Sequence, residues 1–139
     1  MINKLQLNLT FDGKLIDEEL MIDGELINTE NCVDLSELVN SIFDSGEFFI
    51  LTCDCGEAGC TGLHKGILVK HVQHTICWTM IVHDNQKEFV FDRQQYKQTI
   101  QQFFKAADAI KEGVYMDFNI GPTTFGPAEF EACKNKLQG

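Results

Sequence analysis

The stretch from Cys53 to His64, Cys-Asp-Cys-Gly-Glu-Ala-Gly-Cys-Thr-Gly-Leu-His, is where side chains able to do chemistry crowd most closely in this chain. Three readings fit it. Cys53, Cys55, Cys60 and His64 together supply the four thiolate and imidazole donors that tetrahedral zinc takes. The single residue between Cys53 and Cys55 makes a tighter chelate than the usual gap of two to four. A thiol-dependent or disulfide reading, for example Cys55 with Cys60, needs an electropositive pocket to favour the thiolate. Asp54 and Glu57 work against that. In the third reading the loop is structural: Gly56, Gly59 and Gly62 permit positive φ, and small cysteines pack beneath it. The structural reading, with no metal and no cofactor, is the expectation.

Other groupings are sparser. His64, His71, His74 and His83 are spread along the chain, and His71, His74 and Cys77 could meet at a metal only across a sharp turn. Hydrogen-bonded histidines are expected instead. A Cys53 or Cys60 nucleophile with a histidine base is chemically possible, but nothing in the spacing selects it. No nucleophile elbow, phosphate-binding glycine loop or dinucleotide fingerprint is present. A non-enzymatic protein is expected.

Charge is placed unevenly. Residues 1–59 hold thirteen acids against two lysines, whereas residues 60–139 hold eight acids against nine bases. The net charge is −10, with Arg93 the one arginine. Nucleic-acid binding needs clustered Lys and Arg to displace counterions, so DNA, RNA and anionic membranes are poor partners. A basic protein is the complementary partner, because opposite potentials speed encounter and reject wrong partners. The acids expected to meet it are Asp17, Glu18, Glu19, Asp23 and Glu25, then Asp54 and Glu57. The run Asp17-Glu18-Glu19 reads as a solvated edge. No apolar run has signal-peptide or membrane-spanning length, so the six cysteines are expected to be reduced and the chain cytoplasmic.

The elements that must carry these residues follow from periodicity. At 139 residues the chain fits one domain, 1–139. Leu5, Leu7, Leu9 and Phe11 alternate as a half-buried strand ended by Asp12-Gly13. Asp23-Gly24 marks a second hairpin. Asp34, with Glu37 three residues on, opens a short helix through a capping box, with Val33 stapled to Leu38. Its apolar stripe is Leu35, Leu38, Val39, Ile42 and Phe43, and Gly46 is its expected stop. Residues 47–53 read as one central strand, apolar on both faces. Strands at 66–72, 75–83 and 87–91, separated by short breaks, suit an antiparallel meander with Ile76, Trp78, Met80 and Val82 on one face. Residues 92–112 form a long helix capped by Asp92 and Gln95, burying Tyr96, Ile100, Phe103, Phe104, Ala107 and Ile110. Residues 128–137 add a short helix with Phe130 and Cys133 inward. The expected class is α+β: a mixed, mainly antiparallel sheet with a short and a long amphipathic helix packed against it.

The Cys-x-Cys-Gly-x-x-Gly-Cys-x-Gly loop at Cys53 to Gly62, then Trp78, then Phe89-x-Phe91-Asp92 and Gln95-Tyr96, resembles a group of poorly characterised small bacterial proteins over about residues 47–105. By size and acidity the chain also resembles immunity proteins of contact-dependent growth inhibition. That resemblance implies a protein that binds and neutralises a cationic toxin domain, such as a nuclease. A zinc-binding or thiol-dependent protein centred on the cysteine loop is the alternative.

Overall fold

Alternation of apolar and polar residues builds the first sheet. The structure, a computed structural model, describes residues 2–11, 16–27, 32–52, 66–82, 85–113 and 127–138. Strand β1 (Leu5–Phe11) pairs antiparallel with β2 (Ile16–Ile22), and β2 with the short β3 (Glu25–Leu26). Leu5, Leu7, Leu20 and Ile22 are buried on the inner face. The β2–β3 link is a two-residue turn in which Asp23 and Gly24 take φ of +53° and +84°. Positive φ at both positions is the type I′ geometry that matches the twist of a hairpin. The Asp12-Gly13 turn lies outside the described residues.

Helix α1 (Leu35–Phe43) starts where expected, with the Asp34 carboxylate accepting from the Glu37 N–H at 3.2 Å. The capping box is only half formed. The Glu37 carboxylate turns outward to accept from the Phe49 N–H, and Asp34 N–H donates to the Ile50 carbonyl at 2.7 Å. Those bonds draw residues 49–50 to the start of α1 and divide the expected central strand. Its first part, β5 (Gly46–Phe48), pairs with β7 (Ile67–Val72); its second, β6 (Leu51–Thr52), pairs with β4 (Cys32–Val33). The helix stop also differs from expectation. Asp44 is the C-cap in extended conformation, and Gly46 belongs to β5 with φ +148°. Phe43 leaves the buried stripe, 38% exposed, and lies beneath the ammonium groups of Lys97 and Lys136 at 5.6 and 5.4 Å. Cations at a helix C-terminus are favoured by the helix dipole.

The meander forms as the short breaks require. Strands β7, β8 (Thr75–Val82) and β9 (Asn85–Asp92) pair antiparallel in sequence order, with β5 on the far side of β7. The two large sheets meet where Asn3 bridges Phe91. Helix α2 (Arg93–Gly113) follows β9 directly, Asp92 Oδ2 accepting from the Gln95 N–H at 2.9 Å. Gln95 does not complete a capping box; its amide donates to the Leu5 carbonyl and ties α2 to β1. Helix α3 (Pro127–Gln138) lays Phe130, Cys133 and Leu137 against α1 and α2. The Phe130 ring stacks on Phe104 at 5.3 Å.

The architecture is α+β, and the described residues form three helices and two main antiparallel sheets of three and four strands. Helices cover the inner face of each sheet. Trp78, fully buried, meets Phe91 and Tyr96 edge-on at 5.1 and 6.0 Å. Among the described residues no helix is long and apolar enough to cross a membrane.

Candidate interaction surface

The five acids of the first hairpins do not form one patch, because a strand turns alternate residues to opposite faces. Leu20 and Ile22 face the core, so Glu18, two residues back, must face it too. Glu18 is 7% exposed and lies opposite Leu9 on the inner face. It is not on a solvated edge. Glu19 points outward opposite Asn8, and Glu25 is exposed on β3. Asp17 pairs in register with Thr10. Asp23 sits in the turn, where its carboxylate accepts from the Asn3 amide at 2.7 Å and the Lys4 N–H at 2.8 Å. These bonds favour the ionised form and hold its pKa below the usual carboxylate value. Among the described residues the half-buried Glu19 and the exposed Glu25 are therefore the hairpin acids turned to solvent, while Asp23 is tied to Asn3 and Lys4. Asp54, Glu57 and the possible ligands Cys53, Cys55, Cys60 and His64 lie outside the described residues.

The second sheet has an outer face whose composition was not singled out in the sequence. Its side chains run in cross-strand rows. One row is Glu47, Leu68, Thr79 and Glu88, each opposite the next in register. Ile81 and Gln86 form the adjacent row on one side, and Lys70, Cys77 and Val90 the row on the other. Leu68, Val72 and Ile81 are 53%, 42% and 48% exposed. An antiparallel sheet with one solvated face ordinarily carries polar residues there. Leu68 and Val72 could have been found, since β7 reads apolar at both parities.

Behind this face, polar groups are satisfied in a chain. Trp78 Nε1–H donates to the Tyr96 hydroxyl at 3.1 Å. Tyr96 in turn lies 2.7 Å from Ser41 Oγ, whose own proton goes to the Leu38 carbonyl. With that proton committed, Tyr96 O–H is the donor to Ser41. Burial drives the Tyr96 pKa far above its ordinary value, so the phenol stays a neutral donor.

His71 is hydrogen-bonded, as expected for a histidine outside a metal site. Arg93 donates to Nδ1 at 3.2 Å, so Nε2 carries the proton and donates to the Ser41 carbonyl at 2.8 Å. The imidazole thereby caps a free carbonyl at the end of α1. Burial raises the pKa of Asp34, of Glu37 and of the Cys133 thiol, despite the hydrogen bonds that oppose it. A thiol so shifted is a weak nucleophile.

Two open grooves flank α2. One, of about 450 Å³, runs between β1 and α2 and is lined by Gln6, Asn8, Gln98 and Gln102 beside Leu7 and Phe103. The other, of about 490 Å³, lies at the start of α2 around His74, Arg93, Lys97 and Gln101. Among the described residues no three His, Cys, Asp or Glu side chains converge to hold a metal. No family model matches the chain, and comparison with curated proteins and with solved structures returned no significant match. The arrangement offers surface complementarity: acids on outward strand positions, aliphatics beside them, and a rigid core behind.

Proposed function

We propose that the protein is a non-enzymatic binding module, an immunity protein that holds and neutralises a cationic bacterial toxin domain, a nuclease above all. The observation that supports this reading most is the outward placement of Glu19 and Glu25 on a hairpin whose other face is anchored in the core. They belong to a segment with thirteen acids and two lysines. A nuclease holds phosphate oxygens with cationic side chains, and an acidic protein surface attracts those same side chains. Charge of this sign also speeds encounter with a basic surface. The proposed compartment is the cytoplasm, where such a toxin meets its substrate.

The reading is tested with a secreted toxin domain encoded next to this gene, and a gene with no such neighbour would itself count against it. Purified chain should form a stoichiometric complex with that domain and stop its hydrolysis of nucleic acid, and cells expressing the chain should survive the toxin. A neighbouring toxin that remains active with the chain in excess would overturn the proposal.

A further inference from the structure

The outer face of the β5–β7–β8–β9 sheet carries the exposed aliphatic surface of the molecule in concentrated form. Of the six large hydrophobic side chains exposed among the described residues, Leu68, Val72 and Ile81 stand on this one face. Leu68 and Ile81 are diagonal neighbours on adjacent strands, since Leu68 faces Thr79 and Ile81 lies two residues beyond it. Diagonal pairs of this kind lie about 7–8 Å apart at most, within reach of one partner side chain. Cys77 and Val90, partly exposed, continue the strip. Helices α1 and α2 pack on the opposite face, so among the described residues nothing covers this one.

The ends of the strip are charged. Glu47 and Glu88 close the two sides of the row that contains Leu68 and Thr79, and both are exposed. With strands about 4.8 Å apart, three strand spacings separate the backbones of the two glutamates by roughly 14 Å. Among the described residues Lys70 is the one cation on the face; Asp92, at its corner, is committed to capping α2. Exposed apolar surface rimmed by polar residues is a mark of a protein interaction site, and with acids in the rim its complement is an apolar strip flanked by cations. A second copy of this chain does not supply that complement. It would bring another −10 of charge to a face that is itself acidic.

We infer that this sheet face is the docking surface for the basic partner, which presents an aliphatic strip bordered by lysine or arginine at a spacing that meets Glu47 and Glu88. The inference rests on the binding-module reading and specifies where binding occurs. Glu19 and Glu25, on the other sheet, then act at long range on approach.

The test uses a defined probe before any natural partner: an eight-residue peptide alternating lysine and leucine, titrated into isotopically labelled full-length protein. A peptide alternating lysine and serine matches its charge. Amide shifts should concentrate on Leu68, Thr79, Ile81 and Glu88, and the serine peptide should bind at least about tenfold more weakly. The double variant Leu68→Ser, Ile81→Ser, both at exposed positions, should lose a similar factor. Where that variant melts early, the map on the unaltered protein decides alone. Shifts confined to Glu19 and Glu25, or equal binding of both peptides, would overturn the docking face. A toxin domain encoded next to the gene separates the two proposals. A toxin bound and inhibited with these four amides unperturbed overturns the face and leaves the function standing. Leucine-peptide binding at the face with an uninhibited toxin upholds the face and overturns the function.

Discussion

Removing the Tyr96 hydroxyl is the sharpest probe of how the core is specified. Tyr96→Phe keeps the ring that packs between Trp78 and Phe91 and deletes one oxygen. That oxygen accepts from Trp78 Nε1 and donates to Ser41. The two losses differ in cost. Ser41 keeps its donation to the Leu38 carbonyl and merely loses an incoming proton. Trp78, fully buried, is left with an N–H and no acceptor. An orphaned buried donor costs about 1–3 kcal/mol, against about 0.5–1.5 kcal/mol for an average hydrogen bond. Tyr96→Phe should therefore cost about 2–3 kcal/mol. In a Trp78→Phe background there is no N–H to orphan, and the same change should cost roughly 1 kcal/mol or less. Urea denaturation followed by far-UV circular dichroism is the assay, because Trp78 is the single tryptophan and is absent from half the cycle. Equal costs in both backgrounds would refute an orphaned Trp78 N–H as the source of the loss.

Three further outcomes are expected. Trp78→Ala should cost about 3–5 kcal/mol by chemical denaturation, and a near-zero loss would contradict its place in the core. Asp23, with its pKa held down in the folded chain by Asn3 and Lys4, contributes stability above the unfolded carboxylate value that is lost as pH falls. The stability gap between the natural chain and Asp23→Asn should thus narrow on acidification, and a gap independent of pH from 6 to 3 would contradict the linkage. For the cysteine loop, elemental analysis should find no stoichiometric zinc, and a strong chelator should leave the melting temperature unchanged. About one zinc per chain, with matched losses on replacing Cys53, Cys55, Cys60 and His64, would establish the zinc reading instead.

Periodicity carried the fold a long way. The meander, the type I′ turn at Asp23-Gly24, both main helices and the burial of Trp78 all follow from alternation, caps and turn chemistry that act locally. What it missed depends on long-range bonds. Glu37 has the spacing of a capping box, but its carboxylate serves the Phe49 N–H, and the strand expected at 47–53 divides there. Phe43 fits the helical stripe, yet at the end of α1 it is held by two lysines from α2 and α3. Glu18 was legible: Leu20 and Ile22 fix the inward parity of β2, so Asp17, Glu18 and Glu19 cannot share a face. The outer face of the meander was half legible, since the apolar residues at both parities of β7 mean either a covered face or an interface. Sequence alone does not choose between them.

A basic partner met through charge is tested most directly by stopped-flow association with a toxin domain encoded next to the gene, across a range of salt. The association rate should fall steeply as salt rises, because screening shortens the reach of the acids to about 10 Å at 0.1 M. Replacing Glu19 and Glu25 by lysine should lower that rate and flatten its salt dependence, with dissociation little changed. An association rate indifferent to salt, and equal in the charge-reversed variant, would contradict an acidic surface steering a cationic partner.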